Sequence, residues 1–263
     1  MKYHFFDPQL TKNVCVVHIN RPPANALSLE VVEELHSLVD ELSADDAVRA
    51  VIFTAQGPFF IGGADIKMMK EHMGSELPAF MERYTVHLQR ALNKVEEIPK
   101  PVIAAINGFA AGGGCELALA CDFRFMATGK ARIGLSEVKL GILPGGGGLQ
   151  RMPRLVGKAK ALELIIEGRL LTAEEALEIG LVNRIYEPED LMAGAMDYAE
   201  KLSMQATKAI GIIKKCIHTG MDTAIKAGLG FDIDSQDLLF KSHDGIEGIE
   251  AFISKRPPKF IGK

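Results

Sequence analysis

Tryptophan is absent from the 263 residues, and aromatic side chains of all kinds make up only 6%. The aromatics that do occur are not interleaved with any basic run, and the net charge is −4. A nucleic-acid surface normally carries a basic excess, so nucleic acid is not an expected partner. No apolar run approaches the ~20 residues needed to cross a bilayer, which argues against a membrane-spanning segment. Met1 to Leu10 has neither the charged-then-apolar order of a secretory signal nor the Arg-rich pattern of a transit peptide. A cytoplasmic location is therefore expected. Cysteine is scarce: Cys15, Cys115, Cys121 and Cys216 form no C-x-x-C pair and have no histidine at zinc spacing. They read as reduced, mostly buried thiols, and no metal is expected. Fixed-period repeats and low-complexity linkers are also missing.

Three motifs that glycine or histidine content invites are absent as well. A dinucleotide fingerprint starting at Gly112 would need glycine where Leu117 stands, and one starting at Gly145 would need it at Gln150. No G-x-x-x-x-G-K-[ST] loop and no G-x-S-x-G elbow occur. The seven histidines are scattered without H-x-x-x-H spacing.

What is present describes an ordinary globular protein: 48% hydrophobic and 24% charged residues. The length suits one large domain, or one domain with an appendage. Val14 to Asn20 reads as a strand that ends at the Arg21-Pro22-Pro23 break. Ser28 caps a helix with an apolar stripe of Leu29, Val32, Leu35, Val39 and Leu42. Ala50 to Thr54 is a buried strand, Gly57 to Asp65 a loop, and a long helix follows from about Glu76 to Glu97. Val102 to Ile106 and Asp122 to Ala127 are further strands flanking a helix from Gly113 to Ala120. A helix over Lys158 to Glu167 follows, and Thr172 with Glu175 forms a capping box. A strand is expected from Leu181 to Tyr186. Strands separated by helices point to parallel pairing and an α/β architecture. From Pro188 onward the pattern is almost entirely helical.

The chemistry concentrates between Asn107 and Gly148. Two glycine-dense loops, Gly112 to Gly114 and Gly145 to Gly148, can bring bare backbone N–H groups close to a ligand. Glu116 and Glu137 sit in apolar surroundings, where a carboxyl group can acquire a shifted pKa suited to moving protons. Each has a plainer reading: an acid in a first helical turn is stabilised by the helix dipole alone, and a loop carboxylate is usually solvated. They stand twenty-one residues apart with one strand between them, so they can converge at one strand end. N–H donors beside paired acids suggest chemistry on a carbonyl compound.

The run Ile106-Asn107-Gly108-Phe109-Ala110-Ala111-Gly112-Gly113-Gly114-Cys115-Glu116-Leu117-Ala118 resembles the signature of the enoyl-CoA hydratase/isomerase family, the crotonase superfamily. The resemblance extends through Arg21 to Leu27, Gly62 to Lys67, Gly134 to Glu137, Gly141 to Gly148 and the tail Phe252 to Phe260, in order and spacing. It implies a crotonase-like spiral of repeated β-β-α units with a C-terminal helical trimerisation region. The core would span 1–195 and carry a CoA-thioester site; 196–263 would serve oligomerisation, giving a trimer or a dimer of trimers. Carried over residue by residue, the backbone N–H groups of Ala64 and Gly113 would form an oxyanion hole, with Glu116 and Glu137 the catalytic pair. Ala24, Ala26, Ala64, Asp65, Ile66, Lys67 and Gly113 would contact substrate or CoA, Lys67 near its phosphate. No cofactor is implied beyond the coenzyme A thioester itself, an acyl-CoA substrate. Hydration of a 2-trans-enoyl-CoA to a 3-hydroxyacyl-CoA is the expected activity. A methylglutaconyl-CoA hydratase, a Δ3-Δ2 enoyl-CoA isomerase and a non-catalytic CoA- or RNA-binding member remain the alternatives. Departures from the family pattern are Gly62, Leu135-Ser136 before the second Glu, and Leu149; none removes a catalytic group.

Overall fold

The computed structural model describes residues 3–72 and 74–263. It opens with a hairpin that sequence periodicity missed: β1 (Phe6–Thr11) pairs antiparallel with β2 (Val14–Ile19). The turn residues Lys12 and Asn13 both have positive φ, 48° and 65°, the geometry that matches strand twist in a two-residue turn. Within β1 only Phe6 is buried. Polar residues and Pro8 are tolerated there because the strand lies at a sheet edge.

The capped helix expected next is α1 (Leu29–Ala44), where the Ser28 hydroxyl accepts from the Val31 N–H. Its inner face is Val31, Val32, Leu35, Leu38, Val39 and Leu42. The chain then runs β3 (Ala50–Ala55), β4 (Phe59–Ile61), α2 (Ile66–Glu71), α3 (Leu77–Glu97), β5 (Val102–Ile106), β6 (Phe109–Ala111), α4 (Gly113–Ala120), β7 (Phe123–Ala127) and β8 (Arg132–Gly134). A 3-10 turn (Glu137–Leu140) leads to α5 (Gly148–Val156), α6 (Lys158–Glu167), α7 (Ala173–Glu178) and β9 (Arg184–Tyr186). Four helices close the chain: α8 (Leu191–Ser203), α9 (Thr207–Asp222), α10 (Ile225–Phe240) and α11 (His243–Ile253).

Two sheets result. The larger has the order β1-β2-β3-β5-β7-β9, and the smaller is β4-β6-β8. Among the described residues every pairing between these strands except β1 with β2 is parallel. Each repeat sends one strand to the large sheet, the next to the small sheet, and then returns through helix, which is the expected β-β-α spiral. β3 and β5 are buried along their whole length, as continuous apolar runs in a parallel sheet covered on both faces should be. β4, β6 and β8 are three residues each. Such pieces are too short for periodicity to register, so the sequence reads them as loop.

The small sheet is what assembles the site. Its strands lie side by side and parallel, so the segments that leave them emerge together: Gly62-Gly63-Ala64 after β4, Gly112-Gly113 after β6, and Leu135-Ser136-Glu137 after β8. Ligands in α/β proteins collect at just such carboxyl ends of strands.

The expected division at 195/196 falls inside α8. That helix packs on β2, β3, β5 and β7 and buries Leu191, Ala195, Ala199 and Ser203, so it belongs to the core through Ser203. Beyond it, α9 and α10 bury few residues: Thr207 on α9, and Gly228 and Ser235 on α10. The tail folds back onto the core. The Asp244 carboxylate accepts from the N–H groups of Ile261 (2.9 Å) and Gly262 (2.7 Å), and Arg49 Nη1 donates to Phe260 O (3.1 Å).

Candidate active site

Ala64 and Gly113, the two expected backbone donors, line one cavity. Leu27 N–H donates to Gly63 O (2.8 Å) and Leu27 O accepts from Asp65 N–H (3.0 Å). Leu27 is thus bridged to both neighbours of Ala64, and strand alternation turns the Ala64 N–H to the opposite side. Gly113 is the first residue of α4, one of the positions whose N–H has no partner within a helix. Gly112, just before it, has φ 54° and ψ −120°, a backbone state open to glycine alone. A Cβ there would also stand 3.0 Å from Glu137 Oε1.

Glu116 is 1% exposed, one turn into α4. Its Oε1 accepts a hydrogen bond from the Gly148 N–H at 2.9 Å. Burial pushes its pKa from 4.5 up to about 7, against the lowering effect of the Gly148 and Gly146 amides and of Arg151, while the charge of Glu137 adds to the rise. Glu137 heads the 3-10 turn after β8. Its pKa is also raised by burial, partly offset by the amides of Glu137 and Ser136. Among the described residues its Oε2 is buried with no hydrogen-bond partner, which leaves that oxygen free to exchange a proton with a bound molecule.

Both acids line a cavity of about 280 Å³ together with Ala64, Gly112, Gly113 and Ser136. Its apolar wall comes from Met69 of α2, from Met81, Tyr84, Thr85 and Leu88 of α3, and from Leu140, Ile142 and Leu143. The Tyr84 hydroxyl donates to Leu27 O at 2.9 Å, tying α3 to the strand segment that presents Ala64. Among the described residues, no group of three or more His, Cys, Asp or Glu side chains is arranged to hold a metal ion.

A stability consequence follows for Glu116. Its folded-state pKa lies above the ordinary 4.5, so the folded chain keeps a proton that the unfolded chain releases. The group's stabilising contribution is complete below about pH 4.5 and is lost as pH rises through about 7. Glu116→Gln has no charge to bury and keeps an acceptor for the Gly148 N–H. It is expected to be more stable than the natural chain at pH 8 by on the order of 3 kcal/mol, with most of the gain gone at pH 5. Thermal unfolding at the two pH values checks this; an equal difference at both would overturn it.

Of the residues expected at the site, Ala64, Ile66, Gly113, Glu116 and Glu137 line one cavity. Ala24, Ala26, Asp65 and Lys67 lie outside its lining. Ala24 O accepts from the Gly62 N–H and so backs the segment that leads to Ala64, and Ala26 O accepts from Arg21. Asp65 is the N-cap of α2, accepting from the Lys67 and Met68 N–H groups, and pairs with Arg21 Nη2 at 2.6 Å. Lys67 is exposed at the start of that helix. Sequence reasoning missed the α3 wall, reading Glu76 to Glu97 only as a long helix. It also expected the N–H groups of Gly145 to Gly148 to approach a ligand, where the Gly146 and Gly148 amides instead hold Glu116. A Cβ on Gly146 would lie 2.6 Å from Glu116 Oε2, and one on Gly148 would lie 3.1 Å from Glu116 Cγ. The glycine run is the signal, because only bare backbone approaches a buried carboxylate this closely.

The family model described as enoyl-CoA hydratase/isomerase matches residues 9–263. The chain is 42% identical over 245 residues to a short-chain-enoyl-CoA hydratase of Clostridium acetobutylicum, covering 92% of each. It is 38% identical over 265 residues to a crotonyl-CoA hydratase of Syntrophomonas wolfei, covering 100% of each. The crystal structure of an enoyl-CoA hydratase from Bacillus anthracis superposes with a TM-score of 0.92 at 36% identity, covering 99% of this chain and 100% of that one.

Proposed function

Because this chain belongs to the enoyl-CoA hydratase/isomerase family, we propose that it is a hydro-lyase adding water reversibly to a 2-trans-enoyl-CoA to give a 3-hydroxyacyl-CoA. The observation that carries this reading is the pairing of the buried Glu116 and half-buried Glu137, both of raised pKa, with the Ala64 and Gly113 N–H groups around one cavity.

The thioester oxygen rests on the Ala64 and Gly113 N–H groups. As water adds at Cβ, negative charge builds on that oxygen, and the two fixed donors stabilise the enolate; one such donor is worth ~3 kcal/mol. The Glu116 carboxylate, held by Gly148, orients the water and takes its proton. Glu137, protonated at its unpartnered oxygen, delivers a proton to Cα. Water's OH is thereby bonded to Cβ and a proton to Cα, and solvent restores the two carboxyl groups. The pKa of about 7 lets Glu116 exist in either protonation state near neutral pH, and burial raises that of Glu137 in the direction that favours a proton on it. Glu116 must start ionised, so turnover is expected to fall as pH drops below about 7. Nothing beyond the thioester substrate is needed for these steps. An isomerase needs only one acid to shuttle a proton between carbons, so the presence of both favours hydration.

The molecule works as a homo-oligomer, a trimer or a pair of trimers. This is supported by large apolar side chains left facing solvent on the last helices: Phe252 (86% exposed), Ile225 (77%), Ile253 (73%) and Ile233 (72%). Such clustering marks a protein contact. Its compartment is the cytoplasm; all four cysteines are free thiols, the state a reducing compartment maintains. Among the described residues no helix is long and apolar enough to cross a membrane.

Crotonyl-CoA is the first test substrate. Loss of the conjugated-thioester absorbance, with 3-hydroxyacyl-CoA as product, is the expected result. Conversion of a 3-enoyl-CoA to its 2-enoyl isomer without hydration would move the reading to an isomerase. CoA-ester binding with no turnover of any ester in a short- and branched-chain panel would end the catalytic reading.

A further inference from the structure

Three successive carbonyls of the glycine loop are gripped from the side facing away from Glu116. Gln89 Nε2, on α3, donates to Gly145 O at 2.7 Å. Arg151 Nη1, on α5, donates to Gly146 O at 3.1 Å. Gly147 O accepts from the N–H groups of Gln150 and Arg151, both at 3.0 Å, in the first turn of α5. In a trans peptide the C=O and the following N–H point in opposite directions. Holding Gly145 O therefore aims the Gly146 N–H, and holding Gly147 O aims the Gly148 N–H, both towards Glu116. The Arg151 grip fixes the peptide between them. Its guanidinium lies directly over Gly147, where a Cβ would be 2.4 Å from Nη1.

Arg151 is itself immobilised. Its side chain is only 10% exposed and pairs with Glu96 at 2.8 Å. Nε also donates to Glu96 (3.2 Å), and Nη2 to Asn93 Oδ1 (2.7 Å). One rigid, planar fork thus ties the loop to α3 along a line that a lysine ammonium cannot reproduce. The same helix carries Tyr84, Thr85 and Leu88 of the cavity wall, so the grip registers the wall and the loop together.

We propose that Arg151 and Gln89 are positioning residues: acting through the carbonyls of Gly145 and Gly146, they fix the two peptides that precede Gly148, and so hold the run of loop amides that orients the Glu116 carboxylate. The inference rests on the hydratase reading for its kinetic consequence, but not for its structural one. The titratable and charged groups facing Glu116 are Glu137 from the 3-10 turn, Tyr84 from α3, Arg151 from α5 and the adjacent Cys115. Loss of the Arg151 charge and of aligned amides both act to raise the Glu116 midpoint.

The variants are Arg151→Met, Arg151→Lys and the milder Gln89→Met on the exposed face of α3, each in the full-length chain. The carboxylic-acid infrared band of Glu116, identified by its loss in Glu116→Gln, is titrated in each. Expected are a midpoint raised by about one pH unit in Arg151→Met, a smaller rise in Gln89→Met, and no full rescue by Arg151→Lys. The kcat for crotonyl-CoA should fall by about 10- to 100-fold in Arg151→Met, with KM nearly unchanged and the acid limb of the kcat profile displaced upward with the band. An unmoved band in both Arg151→Met and Gln89→Met, with any lost activity tracking lost folded protein, would overturn the proposal. Full turnover by Glu116→Gln would instead end the catalytic assignment of Glu116, while the band titration still decides positioning.

Discussion

Glu137→Gln is expected to lower crotonyl-CoA hydration by about 10²- to 10⁴-fold while leaving the fold and CoA-ester affinity nearly intact. Glutamine matches the shape of glutamate, so the cavity keeps its form, but it has no proton of carboxylic-acid strength to give to Cα. The structure makes this substitution mild for folding. Among the described residues Glu137 Oε2 has no hydrogen-bond partner to lose, and the burial that raises its pKa by disfavouring the charged form does not oppose a neutral amide. The effect should fall on kcat, because the proton moves only in the transition state. Steady-state kinetics with a thermal-unfolding control checks it. Undiminished kcat in a folded variant would remove Glu137 from the mechanism.

The second large effect concerns a donor that has no side chain. Gly113→Pro deletes one of the two N–H groups proposed to hold the thioester oxygen and is expected to cost about 10²- to 10³-fold in kcat. Gly113 is the first residue of α4, the helical position that best accepts proline because its N–H bonds nothing in the helix. The preceding residue must then avoid the helical region. Gly112, at φ 54° and ψ −120°, sits in the mirror image of the extended region, which glycine occupies freely. The added Cβ is the complication: it would meet Leu27 Cδ1 at 2.8 Å. Gly113→Ala carries the same Cβ and keeps the N–H, so it isolates the packing cost. The donor role predicts that proline loses far more kcat than alanine at matched folded fraction; equal losses would reassign Gly113 to packing.

Much of this molecule can be read along the chain. The amphipathic stripe of α1, the buried runs of β3 and β5, the capping box at Thr172 and the limits of α3 and α4 are local. Each depends on residues a few positions apart, and each stands where its pattern places it. The two acids and the glycine loops were also legible, since Glu116 lies in the first turn of a helix opened by glycines. Elements set by distant partners were not. β1 is held by β2 and shows no alternation of its own. β4, β6 and β8 are too short to show a period, and α8 reads as the start of the tail although its small buried residues pack it on the large sheet.

The sequence by itself determined the α/β repeat, the positions of both carboxyl groups and the glycines that let backbone reach them, because propensity, capping and chain conformation act locally. Only the tertiary structure decided that β4, β6 and β8 lie together. That adjacency brings Ala64, Gly113 and Glu137 to one edge from three separate turns of the spiral. It also decided that α3 walls the cavity and that Gly148 holds Glu116. Both are contacts between separate elements of the chain, the second across 32 residues, chosen by which faces bury apolar surface, and burial is in turn what raises the two pKa values.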